Sequence, residues 1–246
     1  NEYFVEMYVR NFLDNAPIMS DDDDYTISKK ALESVTLDEV NKVLPALIRE
    51  NNIAIYSMAP EQEGVQYPGK NDIEILFKMI ANQRITEYVD NSNDAPLLPV
   101  EPQGRKIAKS ETGEWGETIW TFDGGMKVVV KPTTYAVNQV SLSGYSKGGH
   151  SRYPDSDYIN IAFMNSIVPL GGLGEFNTTE LGKKLTGKSA TARVWTTEIY
   201  DRVEAGCAPK DLETMMQLIY LSFTAPRMDS VAFDGFKTRQ RNSLKD

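Results

Sequence analysis

The stretch W-G-E-T-I-W-T-F-D-G-G-M-K-V-V-V-K-P-T-T-Y, residues 115–135, decides the fold of this chain. It predicts a strand, a tight turn at Asp123-Gly124-Gly125 and a second strand, because glycine adopts the positive φ that a tight hairpin turn requires. After Pro132, residues 140–146 alternate between apolar and polar side chains, which is typical of a third strand. The stretch that begins at Trp115 therefore opens with strands.

Helices and a further hairpin follow these strands as far as Arg227. The patterns predict a helix from Asp157 that ends at Gly171-Gly172, a helix over residues 177–185, a long hairpin over 189–208 and a helix over 209–224. A run of strands followed by helices is the order of an α+β fold, with helices packed on one face of a mostly antiparallel sheet.

The composition is that of a globular protein with an excess of acidic residues. The chain has 246 residues and a formal net charge of −9, which argues against nucleic acid as a partner because such binding needs clustered Lys and Arg. The longest apolar runs are about five residues, against the ~20 that a membrane helix needs. Residues 1–7 lack a basic n-region, so we expect no signal peptide here. The single cysteine, Cys207, excludes an internal disulfide and a cysteine-based zinc cluster.

The first part of the chain reads as the end of another domain. Its patterns predict four helices, over residues 1–14, 25–35, 37–50 and 71–88, and one strand over residues 52–60. One strand is too few to form a sheet. We therefore interpret residues 1–88 as the C-terminal part of an upstream α+β domain, 89–113 as a linker rich in Asp, Asn and Pro, and 114–246 as a second, C-terminally incomplete α+β domain.

Two local signals in this first part concern helix starts. Thr36 followed by Glu39 predicts a capping box. The acidic run 21–24 does not match a calcium loop, because the required glycine and trailing glutamate are missing, so we interpret it as a helix start. For the apolar stripe of the helix over residues 71–88, core packing is favoured over a partner-binding groove.

The only histidine, His150, limits the catalytic chemistry open to the chain. A metallopeptidase helix motif needs two imidazoles one turn apart, so none is present. We predict that His150 makes a local hydrogen bond in a loop. A hydrolase using Ser146 or Ser151 with His150 remains a distant alternative, since no G-x-S-x-G elbow is found.

Other candidate sites have simpler explanations. Asp211 and Glu213 are interpreted as helix-start charges rather than metal ligands. The glycines at 171–174 fit a helix end, and Gly187-Lys188-Ser189 lacks the first glycine of a phosphate-binding loop. The residues alone therefore indicate no catalytic residue and no metal ligand, and leave substrate-binding residues unknown.

Three longer motifs resemble the third, catalytically silent domain of bacterial pitrilysin/insulinase-type zinc peptidases. They are W-T-F-D-G-G-M-K-V-V-V-K-P-T-T-Y from Trp120, G-Y-S-x-G-G-H-S from Gly144, and D-Y-x-x-x-x-x-x-x-x-I-V-x-x-G-G-L-G-E-F-x-x-x-E-L-x-K-x-L-x-G-K from Asp157. The segment from Pro209 to Phe233 resembles the next helix pair of that family. Residues 1–88 are more loosely similar to the end of the family's second domain.

The resemblance implies a metalloprotease (LuxS/MPP)-like fold and an absent metal site. In that family, four α+β domains form two bowl-like halves around a peptide, and a zinc site in the first domain uses H-x-x-E-H and a distal glutamate. The corresponding positions here are Asn160 and Met164 for the histidines, Phe163 for the internal glutamate and Ser243 for the distal one. No catalytic or metal-binding residue is carried over.

The resemblance thus implies a non-catalytic segment of a zinc metallopeptidase that forms a chamber wall. The loop 144–152 and the hairpin 189–208 are expected to line that chamber. No cofactor is expected in this segment, and zinc is expected in the first domain of the parent protein. The implied partners are a peptide substrate and the catalytic N-terminal half, with a periplasmic or membrane-associated location in a bacterium. The alternative is an assembly subunit of the same fold without peptidase activity.

Overall fold

The computed structural model describes residues 2–47, 53–59, 63–84, 86, 89 and 94–245. The chain divides into two compact units, Asn1–Ile85 and Thr86–Asp246. Among the described residues, no helix is both long enough and apolar enough to cross a membrane.

The first unit contains four helices in its described part: α1 (Glu2–Asp14), α2 (Asp21–Ser34), α3 (Leu37–Leu47) and α4 (Lys70–Ala81). Helix α2 begins at the acidic run, and the Ser20 hydroxyl caps it by accepting from the Asp23 amide at 3.2 Å. The predicted capping box is also confirmed: the Thr36 amide donates to Glu39 at 2.9 Å and the Glu39 amide donates to the Thr36 hydroxyl at 3.3 Å.

The strand predicted over residues 52–60 is wrong for its described part, because residues 53–59 form neither helix nor strand. A strand exists only where a second strand completes its hydrogen-bond ladder. The described residues of this unit supply no second strand. The predicted core stripe of α4 is likewise half exposed, with Leu76 at 52% and Phe77 at 50%. Ile85, the last residue of that stripe, lies outside the described residues.

The second unit contains two three-stranded antiparallel sheets in its described residues. The first sheet has the order β1-β2-β3, from β1 (Ile107–Thr112), β2 (Thr118–Phe122) and β3 (Lys127–Val130). The second has the order β4-β6-β5, from β4 (Val140–Lys147), β5 (Ala190–Thr196) and β6 (Tyr200–Cys207). The predicted α+β class is confirmed, but the strands divide into two sheets instead of one.

The predicted turns and helices of this unit are confirmed. The β2–β3 hairpin turns at Gly124 and Gly125, with φ of 98° and 89°. Helix α5 (Tyr158–Ile167) continues into a 3-10 turn that ends before Gly171. Helix α6 (Thr178–Lys184) is capped by Asn177, and α7 (Leu212–Thr224) and α8 (Ser230–Ser243) follow β6.

The core lies between the second sheet and helices α6 and α7. Met215 and Leu218 of α7 are buried against Ala190 and Cys207 at the paired ends of β5 and β6. A second cluster joins Leu97, Phe176 and Leu221.

The region 89–113, predicted as an extended linker, is more structured than expected in its described part. Leu97 is buried in the second cluster, and residues 107–112 form strand β1 with a register shift near its start. The polar and proline-rich composition concealed both features, because a single anchoring leucine and a six-residue edge strand have little periodicity. The division into domains at this region stays a prediction.

Candidate functional site

Helix α5 occupies the place where the resemblance puts a metal-binding helix. Its side chains are exposed or pack against neighbouring residues. Asn160 is exposed, and Met164 is half-buried. The Phe163 ring lies edge-on to the Phe236 ring of α8, with 5.9 Å between centroids. Ser243, at the position expected for the distal ligand, is the last residue of α8 and is exposed.

Asn165, which follows Met164 in α5, fixes this helix to strand β5. This residue was missed by the sequence analysis. Its Nδ2 donates to the Thr196 carbonyl at 2.8 Å, and its Oδ1 accepts from the Thr196 amide at 2.9 Å. The side-chain amide therefore satisfies both backbone groups of Thr196, much as a neighbouring strand would. The bond spans 31 positions, so no local pattern indicated it.

His150 also bonds to Thr196, through the threonine side chain. It lies in a 3-10 turn (Gly149–Arg152), and its Nε2 is 2.9 Å from the Thr196 hydroxyl. The predicted hydrogen bond is thus present, but it is not local, because it joins a loop to the end of β5. His150 therefore bonds to the side chain of Thr196, and Asn165 bonds to the backbone of Thr196.

Backbone bonds fasten the loop around His150 to the turn of the β5–β6 hairpin. The amides of Gly148, His150 and Ser151 donate to the carbonyls of Ile199, Thr197 and Glu198 at 2.9, 2.9 and 2.8 Å. Gly149 is buried with φ of 59°, and a Cβ there would lie 2.3 Å from the Thr197 carbonyl oxygen. Residues 144–147 of the predicted loop belong to strand β4, so the loop itself is residues 148–152. This loop and the hairpin 189–208, both predicted to line a chamber, therefore meet in one surface.

The serines considered as nucleophiles are bonded to backbone. The Ser151 hydroxyl donates to the Gly148 carbonyl at 2.7 Å, and the Ser146 hydroxyl donates to the Lys147 carbonyl at 3.5 Å. A serine nucleophile needs an imidazole that accepts its proton, and the Nε2 of His150 is bonded to Thr196 instead. The arrangement does not build a serine triad.

The acids at the start of α7 serve the fold. Asp211 is 7% exposed and accepts from the Ser189 amide at 2.9 Å, which ties the entry of β5 to the helix start. Glu213 accepts from Gln217 one turn along the same helix at 2.9 Å. Burial raises the pKa of the nearby Cys207 thiol, and the negative charge of Asp211 raises it further. A buried thiol with a raised pKa is a poor nucleophile.

The Gly187-Lys188-Ser189 triplet is exposed, and its polar groups bond to the start of helix α7. Lys188 Nζ donates to the Thr214 hydroxyl at 3.0 Å, and the Ser189 amide is bonded to Asp211. An open cavity of about 550 Å³ lies beside this triplet, lined by residues 137–139, 188–191 and 206–208. The lysine that lines this cavity, Lys188, is already bonded to Thr214.

These residues do not fit zinc. Zinc in proteins takes imidazole, thiolate or carboxylate ligands, whereas α5 offers an amide, a thioether and a phenyl ring. In the part of the chain that the structure describes, no group of three or more His, Cys, Asp or Glu side chains converges to hold a metal ion.

The described residues of the second unit form an α+β domain in which no metal-binding group of three or more His, Cys, Asp or Glu side chains is found. No family model matches the chain. It is similar to a protein named zinc protease PQQL-like from Arabidopsis thaliana, with 23% identity over 218 residues, 88% of this chain and 20% of that protein. It is also similar to the probable zinc protease PqqL of Escherichia coli, with 22% identity over 236 residues, 95% of this chain and 25% of that protein.

A solved structure supports the same fold. The crystal structure of the periplasmic protease PqqL from Escherichia coli matches 99% of this chain and 27% of that one, with a TM-score of 0.57 and 19% identity. The resemblance to a pitrilysin/insulinase-type zinc peptidase segment is therefore confirmed. The chain spans about a quarter or less of the length of these relatives.

Proposed function

We propose that this chain is a non-catalytic segment of a zinc-dependent metallopeptidase, forming part of the wall that encloses a peptide substrate. Zinc and the water-activating glutamate then belong to another domain of the parent protein. The partners are the peptide substrate and the catalytic N-terminal half. A periplasmic location is part of the proposal, supported by the location named for the matching crystal structure.

The observation that carries the proposal is the use made of α5. The helix at the expected metal position has no imidazole, and its Asn165 is committed to the backbone of Thr196. A catalytic zinc site needs three protein ligands and an open position for water, which these side chains do not supply. What the segment offers is a rigid surface in which loop and hairpin are joined.

Side chains that protrude from this joined surface give the test. In the parent protein, we expect Tyr153→Ser combined with Ile199→Ser to raise KM for a peptide about three- to tenfold and leave kcat unchanged, because it removes substrate contact without touching chemistry. Both side chains are more than half exposed, so folding should tolerate the change. Met228→Ser, at a 92% exposed position away from this loop, is the control. An unchanged KM would reject a substrate-lining role.

The second candidate function is an assembly subunit of the same fold without peptidase activity. The missing ligands of α5 are equally compatible with it. The sequence upstream of Asn1 discriminates between the two. An H-x-x-E-H motif about two domains earlier supports the peptidase, and a parent protein without it supports the assembly subunit.

A further inference from the structure

The outer face of the second sheet, turned away from the core, carries cations and aromatic rings. In β6 the core side includes Ala205 and Cys207, so alternate residues Tyr200, Arg202 and Glu204 lie on the other side. Directly paired residues share a face. The pairs Tyr145↔Arg202 and Lys147↔Tyr200 extend this outer side onto β4, and Arg193↔Glu204 and Trp195↔Arg202 extend it onto β5.

We call this set the basic-aromatic face: Tyr145, Lys147, Arg193, Trp195, Tyr200 and Arg202. The guanidinium of Arg193 lies 5.2 Å from the centre of the Trp195 ring, and that of Arg202 lies 5.4 Å from the centre of the Tyr200 ring. The Tyr145 and Tyr200 rings meet edge to face at 5.7 Å. Stacking on a ring orients a guanidinium and leaves its N–H groups free to point outward.

The charge of this face is opposite to that of the chain. Three cations and one carboxylate, Glu204, share the outer side of the three strands, whereas the whole chain has a net charge of −9. Lys147, Arg193, Arg202 and Tyr145 are exposed, the last at 75%. A concentrated positive field favours an anionic partner.

We propose that the basic-aromatic face binds an acidic, extended polypeptide segment. Asp or Glu side chains pair with Arg193, Arg202 and Lys147, and the rings of Tyr145, Trp195 and Tyr200 pack against the backbone and the aliphatic stems between those charges. A polypeptide is favoured over a nucleic acid because the net charge of −9 opposes a polyanion of high charge density. This inference rests on the proposed function, since it names the chemical class of peptide that the wall receives.

Fluorescence anisotropy of the purified chain with a labelled Glu-Ala repeat peptide tests the proposal. A peptide of about eight residues is long enough, because an extended chain advances about 3.3 Å per residue. Such a peptide is longer than the width of the three strands. We expect saturable binding that weakens as NaCl screens the charges. The matched Lys-Ala peptide and an oligothymidylate of equal charge should bind at least about tenfold more weakly.

Charge reversal locates the binding. We expect Arg193→Glu with Arg202→Glu to weaken binding of the Glu-Ala peptide about tenfold or more, since each attraction becomes a repulsion. Arg239→Glu with Arg241→Glu, at exposed positions of α8, changes the net charge equally and should leave affinity within about twofold. Circular dichroism verifies that both variants are folded.

Each alternative result overturns the proposal. It fails if the wild-type chain does not bind the Glu-Ala peptide, if the Lys-Ala peptide or the oligothymidylate binds equally well, or if both double variants lose affinity alike. After the binding measurement, mass spectrometry determines whether the peptide is intact or cleaved. A cleaved peptide contradicts the proposed non-catalytic role, whereas an intact but unbound peptide contradicts only the acidic-segment inference.

Discussion

At the scale of single residues, Asn165 is the side chain on which the geometry around α5 depends. Replacing it with alanine removes two hydrogen bonds and leaves the half-buried amide and carbonyl of Thr196 without that partner. We expect Asn165→Ala to lower the free energy of unfolding by about 1–3 kcal/mol. Urea denaturation measures the change. Asn160→Ala, at an exposed position of the same helix, should change it by less than about 0.5 kcal/mol. Equal effects of the two variants would show that Asn165 does not anchor the helix.

Asp229 gives a prediction about pH at the same scale. The amide of Ala232 donates to this carboxylate at 2.9 Å and Arg227 donates at 3.0 Å, and these bonds hold the pKa of Asp229 below its ordinary value of 3.8. A lowered pKa means that the carboxylate stabilises the fold above its unfolded pKa, and that this contribution is lost as the pH falls through the folded pKa.

Carboxyl-carbon NMR should therefore show Asp229 titrating below 3.8. Asp229→Asn, which keeps a capping oxygen, should be less stable than the wild type at about pH 6, and the difference should shrink as the pH is lowered through the folded pKa. A midpoint at or above the ordinary value would contradict the contacts with Ala232 and Arg227.

Among individual residues, the predictable ones were those with local partners. Thr36 with Glu39 and the glycines of the β2–β3 turn act within three positions of themselves, so sequence spacing revealed them. The bonds of Asn165 and His150 to Thr196 span 31 and 46 positions. An asparagine inside a helix has low helix propensity, and that is the one sequence signal that could have drawn attention to Asn165.

At the scale of elements, three backbone hydrogen bonds join the loop 148–152 to the β5–β6 hairpin, because Gly149 allows the two backbones to approach closely. A Cβ at Gly149 would meet the Thr197 oxygen at 2.3 Å and the Tyr200 nitrogen at 2.7 Å. Gly187 also has a positive φ, 78°, but its Cβ position has nothing within 4 Å. The two glycines therefore separate the cost of backbone strain from the cost of a clash.

We expect Gly187→Ala to cost about 1 kcal/mol, from the left-handed conformation alone. Gly149→Ala should cost at least about 1 kcal/mol more, because the three bonds from loop to hairpin must stretch. Thermal or urea unfolding of both variants compares the two costs. If they are the same within error, the loop is not pressed against the hairpin.

Helices and strands could be predicted from the sequence where a local signal set their boundaries. Helices α5 to α7 and both hairpins over residues 115–208 were predicted because glycine turns and periodicity mark them. Residues 53–59 alternate between apolar and polar side chains as a strand does, but they do not form a strand. A strand needs a partner strand from elsewhere in the molecule, which the local pattern does not report. The same limit concealed the division of the strands into two sheets, because a hydrophobic pattern does not name the neighbouring strand.

At the scale of the whole molecule, the proposed function is that this chain supplies fold and surface to a peptidase and contributes no metal centre of its own. The claim rests on a single histidine held against Thr196 and on a helix α5 whose donors do not suit zinc. It also explains how a chain similar to named zinc proteases carries no ligand set within its described residues.

Zinc content and peptide hydrolysis, measured together on the purified chain after exhaustive dialysis, test this claim most directly. We expect far less than one zinc ion per chain by mass spectrometry, and no cleavage of a mixed peptide library even with zinc added back. One tightly held zinc ion per chain accompanied by peptide cleavage would contradict the account.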